Sequence, residues 1–185
     1  KKAEEEGSVQ SRLIAAQRAL TLNRYDAAIE MFRSLYQTNP RDVSILIGLA
    51  LSYQNAGQNE EAIQIYQEIL DVEPKHLEAR INMLGLMGDR YPAVALRRLI
   101  SLEEEYKDNP AILAQIAVMQ ANVGDYGSAL KYMNMASSIE PQNAMHIFNL
   151  AVIADRAGDK DTAISSYERA LEVDSIYSAG GSIPR

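Results

Sequence analysis

The sequence predicts an all-α fold, a solenoid of stacked antiparallel helix pairs, and three observations carry that expectation. A phrase recurs: "NAGQNEEAIQIYQEILDVEP" at 55–74 returns as "NVGDYGSALKYMNMASSIEP" at 122–141 and "RAGDKDTAISSYERALEVDS" at 156–175. Its period is fixed, since Gly124 to Gly158 and Pro40 to Pro74 are both 34 residues apart. Apolar and small residues inside each phrase fall at offsets of three and four, one face of an α-helix, with Gly, Asn and Pro between the blocks.

Each element follows from these positions. Gly57, Gly124 and Gly158 stand five residues before Ala62, Ala129 and Ala163. Four residues after each alanine comes a large side chain, Tyr66, Met133 or Tyr167, and twelve after it Pro74, Pro141 or Ser175. The opening segment fits with Asn23, Ala28, Phe32 and Pro40. Upstream, Leu46, Leu49, Ala50 and Tyr53 match Leu113, Ile116, Ala117 and Gln120, then Ile147, Leu150, Ala151 and Ala154, and in the first copy Arg12, Ala15, Ala16 and Ala19. Gly or Asn between the blocks suits the left-handed end of a helix. Asp26, Asn59, Asp125 and Asp161 suit the start of the next, and proline stops it. A small residue beside a bulky one lets neighbouring helices approach closely. The third copy departs: Gly85, Ala95 and Leu99 keep the frame, but its connection is expected about two residues shorter. Pro92 opens its second helix, where a missing N–H costs little, and Pro110 has moved into the fourth copy.

This pattern resembles the tetratricopeptide repeat family: period 34, small residues at positions eight and twenty, an aromatic at twenty-four, proline at thirty-two. Five tandem copies are expected at 9–42, 43–77, 78–109, 110–143 and 144–177, after a disordered extension at 1–8 and before a Ser/Gly-rich tail at 178–185. The resemblance implies a right-handed superhelix with first helices on the concave side. It places Gln10, Leu13, Gln17 and Leu20, then Ser44, Ile47, Leu51 and Gln54, then Ala79, Asn82 and Leu86 along that groove. Ala111, Ala114, Val118, Ala121 and Asn122 follow, then Met145, Phe148, Val152 and Asp155. An apolar floor of Leu13, Ile47, Leu51, Leu86, Val118, Phe148 and Val152 is expected, with Phe148 exposed and Gln17, Gln54, Asn82 and Asn122 as amides between. Family members that clamp a C-terminal carboxylate use Lys, Asn and Arg. The matching positions here hold Leu13, Gln17, Gly48 and Ala79, or Ile47, Leu51, Met83 and Ala111, which cannot pair a carboxylate.

Composition narrows the partners. The net charge is −7, against the basic surface that nucleic acid or anionic lipid needs. No apolar run reaches the roughly 18 residues of a membrane span. Cysteine is absent, which excludes disulfides and thiolate chemistry without choosing between cytoplasm and periplasm. His76 and His146 lack a second ligand at helical spacing, and surface or cap roles are expected. The aspartates of "DRAGDKD" (155–161) lack the calcium-loop pattern, and no glycine run cradles phosphate. Met83, Met87, Met119, Met133, Met135 and Met145 are expected in the core. No cofactor, metal or catalytic residue is expected. The function expected is a protein-interaction scaffold that takes a partner peptide or helix, within an assembly such as a secretion or pilus machine. The alternatives are the substrate-recognition part of a larger enzyme, and a self-associating array joined through uncovered ends.

Overall fold

The computed structural model describes the backbone of residues 2–177 and the side chains of residues 7–174, so the tail lies outside the described residues. Ten α-helices and no strand occur among the described residues. They divide into two compact units, residues 1–86 and 87–185.

Unit 1 holds α1 (Lys2–Thr21), α2 (Tyr25–Thr38), α3 (Val43–Asn55), α4 (Asn59–Val72) and nearly all of α5 (Leu77–Met87). α1 reaches back through residues 2–8, which are helical rather than disordered. α1 packs on α2, α2 on α3 and α3 on α4. Asn23 and Gly57 end α1 and α3 with φ of 57° and 76°, the left-handed geometry that asparagine tolerates and glycine adopts freely.

The α2–α3 seam explains why small and bulky residues alternate. Phe32 is fully buried, and its ring lies over Gly48 so closely that a β-carbon there would overlap it, coming within 2.9 Å of even Cδ1. Ser52, one turn on, is also buried, and its hydroxyl donates to the Gly48 carbonyl at 2.7 Å, so the seam strands no polar group. Outside the seam, the Tyr36 hydroxyl of α2 donates to Glu68 Oε2 of α4 at 2.9 Å. That hydrogen bond, with some desolvation and the carboxylate's charge, raises the Tyr36 phenol above its ordinary range.

Unit 2 holds α6 (Pro92–Glu105), α7 (Pro110–Asn122), α8 (Tyr126–Ile139), α9 (Ala144–Ala157) and α10 (Lys160–Tyr177). α6 packs on α7, and α7 to α10 pack each on the next. One core joins α7, α8 and α9 through Leu113, Ala117, Ala129, Met133, Leu150 and Ile153. Ala117 and Ala129 are fully buried, which admits Met133 to the seam. Met83, Met119 and Met133 are buried, Met87 and Met135 half-buried, and Met145 stands exposed at 40 %.

Three expectations about helix ends change. Asp125 accepts from the Ser128 N–H at 3.0 Å as expected, but Asp26 and Asn59 lie inside the first turns of α2 and α4, after Arg24 and Gln58, which make no side-chain cap. α10 is capped by Asp159, which accepts from Thr162 N at 3.2 Å, and Asp161 sits in its first turn. These helices start two residues after the left-handed one, one or two positions earlier than spacing suggested. The first helices carry caps of their own: Asp42, Asn109 and Asn143 each accept two backbone N–H groups. In the third copy the shortening falls in the helix. α5 has 11 residues where α3 and α7 have 13, and the turn at 88–91 is longer than the 56–58 and 123–125 turns. No left-handed residue occurs in that turn; Asp108, on the way to α7, has φ 58°.

Candidate inner-face binding site

Within each unit first helices touch directly, α1 with α3 and α7 with α9. In unit 1, Ile47, Leu51 and Gln54 recur at four and three residues on α3, and all three are half-buried. Asn82 and Leu86 repeat the arrangement on α5. Neighbouring positions on α3 (Ile45, Leu46, Leu49, Ala50) are almost fully buried. The stripe is therefore the solvent edge of a packed helix, apolar yet partly open. On α1, Gln17 is exposed, but Leu13 keeps only 9 % of its surface open and belongs to the packed interior.

In unit 2, Val118 and Val152 are half-buried and Asn122 is exposed. Phe148, expected exposed, is half-buried: its ring meets Tyr167 of α10 edge-on, with centroids 5.8 Å apart and planes at 62°, beside Ile147, Ala170 and Val173. The aromatic side chain is long enough to reach the second helix of its own pair, a contact that helical spacing does not reveal. Arg156 lies 5.8 Å over the Tyr126 ring and donates to Asn122 Oδ1 at 3.5 Å. Spacing does not single out this rim cation.

The polar residues of unit 1 are organised by Tyr66. Its side chain is fully buried, and its hydroxyl donates to Gln54 Oε1 at 2.8 Å, with the Asn82 side chain close by. Burial raises the Tyr66 phenol well above its ordinary value; the Asn82 hydrogen bond opposes that rise and the Glu78 charge adds to it. The folded state therefore keeps a proton that the unfolded chain releases near about pH 10. Stability from this group is complete below about pH 10 and falls as pH rises beyond it. Denaturant unfolding between about pH 8 and 11 is expected to show a steeper alkaline loss for the wild type than for Tyr66→Phe.

The two histidines differ. His76 Nδ1 accepts from Ala79 N at 3.3 Å, as a cap does. His146 is buried, against the expectation of a surface or cap role, in the position that Ile45 and Ile112 fill in other copies. Its Nε2 lies 2.9 Å from Glu140 Oε2 without the alignment of a hydrogen bond. Among the described residues no group of three His, Asp or Glu could hold a metal ion, and no helix is long and apolar enough to cross a membrane. A shallow pocket of unit 1 lies between the α1–α2 turn and the end of α3, with none of the stripe residues in its lining.

Tetratricopeptide-repeat family models match residues 19–85, which include the Phe32–Gly48 seam, and residues 147–177. The chain is a tetratricopeptide-repeat protein. Tetratricopeptide repeat protein 8 of Caenorhabditis elegans is 24 % identical over 149 residues, covering 79 % of this chain and 29 % of that protein. The array thus spans under a third of that relative's length. A thermophilic tetratricopeptide protein of Thermus thermophilus, TTC0263, superposes with a TM-score of 0.80 at 22 % identity, over 90 % of this chain and 92 % of that one. PilW, a type IV pilus biogenesis factor, superposes at 0.71 and 17 % identity, over 91 % of this chain and 78 % of that one. The fold class is the one expected, an all-α solenoid of antiparallel helix pairs.

Proposed function

We propose that this tetratricopeptide array is a non-catalytic scaffold that holds a partner's peptide or helix against the inner faces of its first helices. The observation that carries the reading is the half-open apolar stripe: Ile47, Leu51 and Leu86 in unit 1, Val118, Phe148 and Val152 in unit 2. Amides accompany it, Gln17, Gln54 and Asn82 in unit 1 and Asn122 in unit 2. Completing the burial of one such side chain is worth up to about 1.5–3 kcal/mol, so several anchors offset the several kcal/mol that association costs. The likeness to PilW favours a setting in a secretion or pilus assembly.

Peptides selected from a phage-displayed library of random dodecamers on the immobilised array provide the test. Lysine at Leu51 or Val152 ends the apolar stripe while its stem still covers the helix. Leu51→Lys or Val152→Lys is expected to weaken the selected peptides by about tenfold or more, with melting curves close to wild type. Equal affinity for both variants would remove the inner face as the binding site.

A second reading, self-association, is favoured by α10. Ile164 and Leu171 are 59 % and 52 % exposed, whereas the matching Ile29 of the first copy is 7 % exposed. On the same helix Ala163 is buried and Tyr167 half-buried. Light scattering is expected to show mass rising with concentration, and Ile164→Asp to abolish the rise.

A further inference from the structure

The α2–α3 seam has two faces, and the repeat writes a version of each on a helix that leaves it open. Phe32 of α2 seats over Gly48 of α3. Helical spacing puts Ile29 and Tyr36 on the face of Phe32, and Ile45 and Ser52 on the face of Gly48. Those five residues are buried, except that Tyr36 is half-buried. On α10 the first face recurs as Ile164, Tyr167 and Leu171, with Ile164 and Leu171 exposed. On α1 the second face recurs as Ser11, Ile14 and Arg18, and all three are exposed. The matching His146 and Ile153 of α9 are buried, and Ile153 shares a core with Met133 of α8.

Charge separates the partners that α10 could take. Glu168 lies between Ile164 and Leu171 on the open face, and Asp161 precedes them by one turn. The cations of this helix are Lys160 and Arg169, and Arg169 donates to the Pro141 carbonyl at 3.3 Å. A two-fold contact of α10 with α10 brings Glu168 toward its own copy, where like charges oppose it. α1 has the opposite sign. Between residues 7 and 21 it carries Arg12 and Arg18 and no carboxylate. Arg12 donates to Ser34 on α2 at 2.7 Å, while Arg18 shares the open face with Ile14.

We propose that α10 of one molecule seats on α1 of a second copy, a head-to-tail contact that continues the stacking of helix pairs from molecule to molecule. Ile164 and Leu171 close over Ile14, and Arg18 faces Asp161 and Glu168. Ile14 has the bulk that Gly48 lacks, so the contact does not copy the Phe32 overlap. α9, with Asn149 at that position, packs on α8 without a glycine there. Because the two surfaces differ, each molecule adds one neighbour at each, which builds an open chain or a ring rather than a two-fold pair. The contact rests on the self-association reading above and names its second surface.

Light scattering on single variants and on their mixtures tests it. The wild-type mass is expected to pass that of a dimer as concentration rises. Ile14→Asp on α1, and Ile164→Asp or Leu171→Asp on α10, are each expected to weaken association by about tenfold or more. Arg18→Glu is expected to weaken it by about threefold or more. All four positions are exposed, and circular dichroism is expected to match wild type. An equimolar mixture of Ile14→Asp and Ile164→Asp keeps one intact pair of surfaces, α10 of the first on α1 of the second. At concentrations where either variant alone is monomeric, the mixture is expected to reach the mass of a dimer and stop there. A mixture that stays monomeric, or a wild type that stops at a dimer and ignores Ile14→Asp and Arg18→Glu, would overturn the proposal. Loss of association in Ile164→Asp would then leave self-association through α10 standing. A wild type that is monomeric at every concentration would end both readings.

Discussion

Gly48→Ala is expected to destabilise unit 1 by about 1–3 kcal/mol, because overfilling a packed seam forces side chains off their rotamers. The β-carbon would enter space that the Phe32 ring already occupies. The ring is fully buried. Helix propensity acts in the opposite direction, since alanine is better than glycine in a helix by about 1 kcal/mol, so a net loss is diagnostic of the clash. Phe32→Leu gives the sharper form of the test. Alone it removes ring contacts and destabilises; combined with Gly48→Ala it makes room for the methyl group. The two losses are expected to sum to more than the loss in the double variant, by over about 0.5 kcal/mol in denaturant unfolding. Simple additivity would mean that the seam relaxes freely and that glycine is not required there.

Phe148→Asp is expected to lower the stability of unit 2 as well as weaken binding. Helical spacing alone places Phe148 on the open stripe, where a charge would leave melting unchanged. Its edge-on contact with Tyr167 and its neighbours Ala170 and Val173 change that expectation. Losing a half-buried ring and an aromatic pair is worth about 1–3 kcal/mol, and a carboxylate against Tyr167 adds desolvation. Thermal melting of Phe148→Asp is therefore expected several degrees below wild type. Asn122→Ala, at an exposed position, is expected within about 0.5 kcal/mol of wild type. A Phe148→Asp melt that coincides with wild type would return the ring to the free surface.

The contrast shows which parts of the molecule are legible in the residue order. Helix existence and order are written locally: Gly57, Gly124 and Gly158 occupy left-handed turns, and Pro92 and Pro110 open α6 and α7. Repetition multiplies that signal. Spacing does not say whether a shortened copy loses helix or loop, so the residue order alone puts the deficit of the third copy in its connection, whereas α5 carries it. Asp42, Asn109 and Asn143 each directly precede a helix start, but they lie between copies, where the repeated phrase does not mark them. Gly48 has a readable signal, a glycine amid strong helix formers, but it stands two residues before the small-residue position held by Ala50.

The candidate site is less legible, for a physical reason. Helical spacing assigns a residue to a face; it does not say how far a long side chain reaches from that face. Leu13, Phe148 and His146 all turn inward by amounts set by neighbouring helices. The Gln54–Tyr66–Asn82 arrangement joins three helices through one hydroxyl, and no pattern along a single helix contains it.

The claim that the inner faces capture partners is tested most directly by site-specific photo-crosslinking of the phage-selected peptides to the array. A benzophenone side chain is placed in turn at Gln17 and Asn122 on first helices, and at Gln64 and Lys131 on second helices, all four exposed. Peptide adducts at Gln17 or Asn122, with none at Gln64 or Lys131, are the result predicted here. Adducts confined to the second-helix positions, or spread equally over all four, would contradict it.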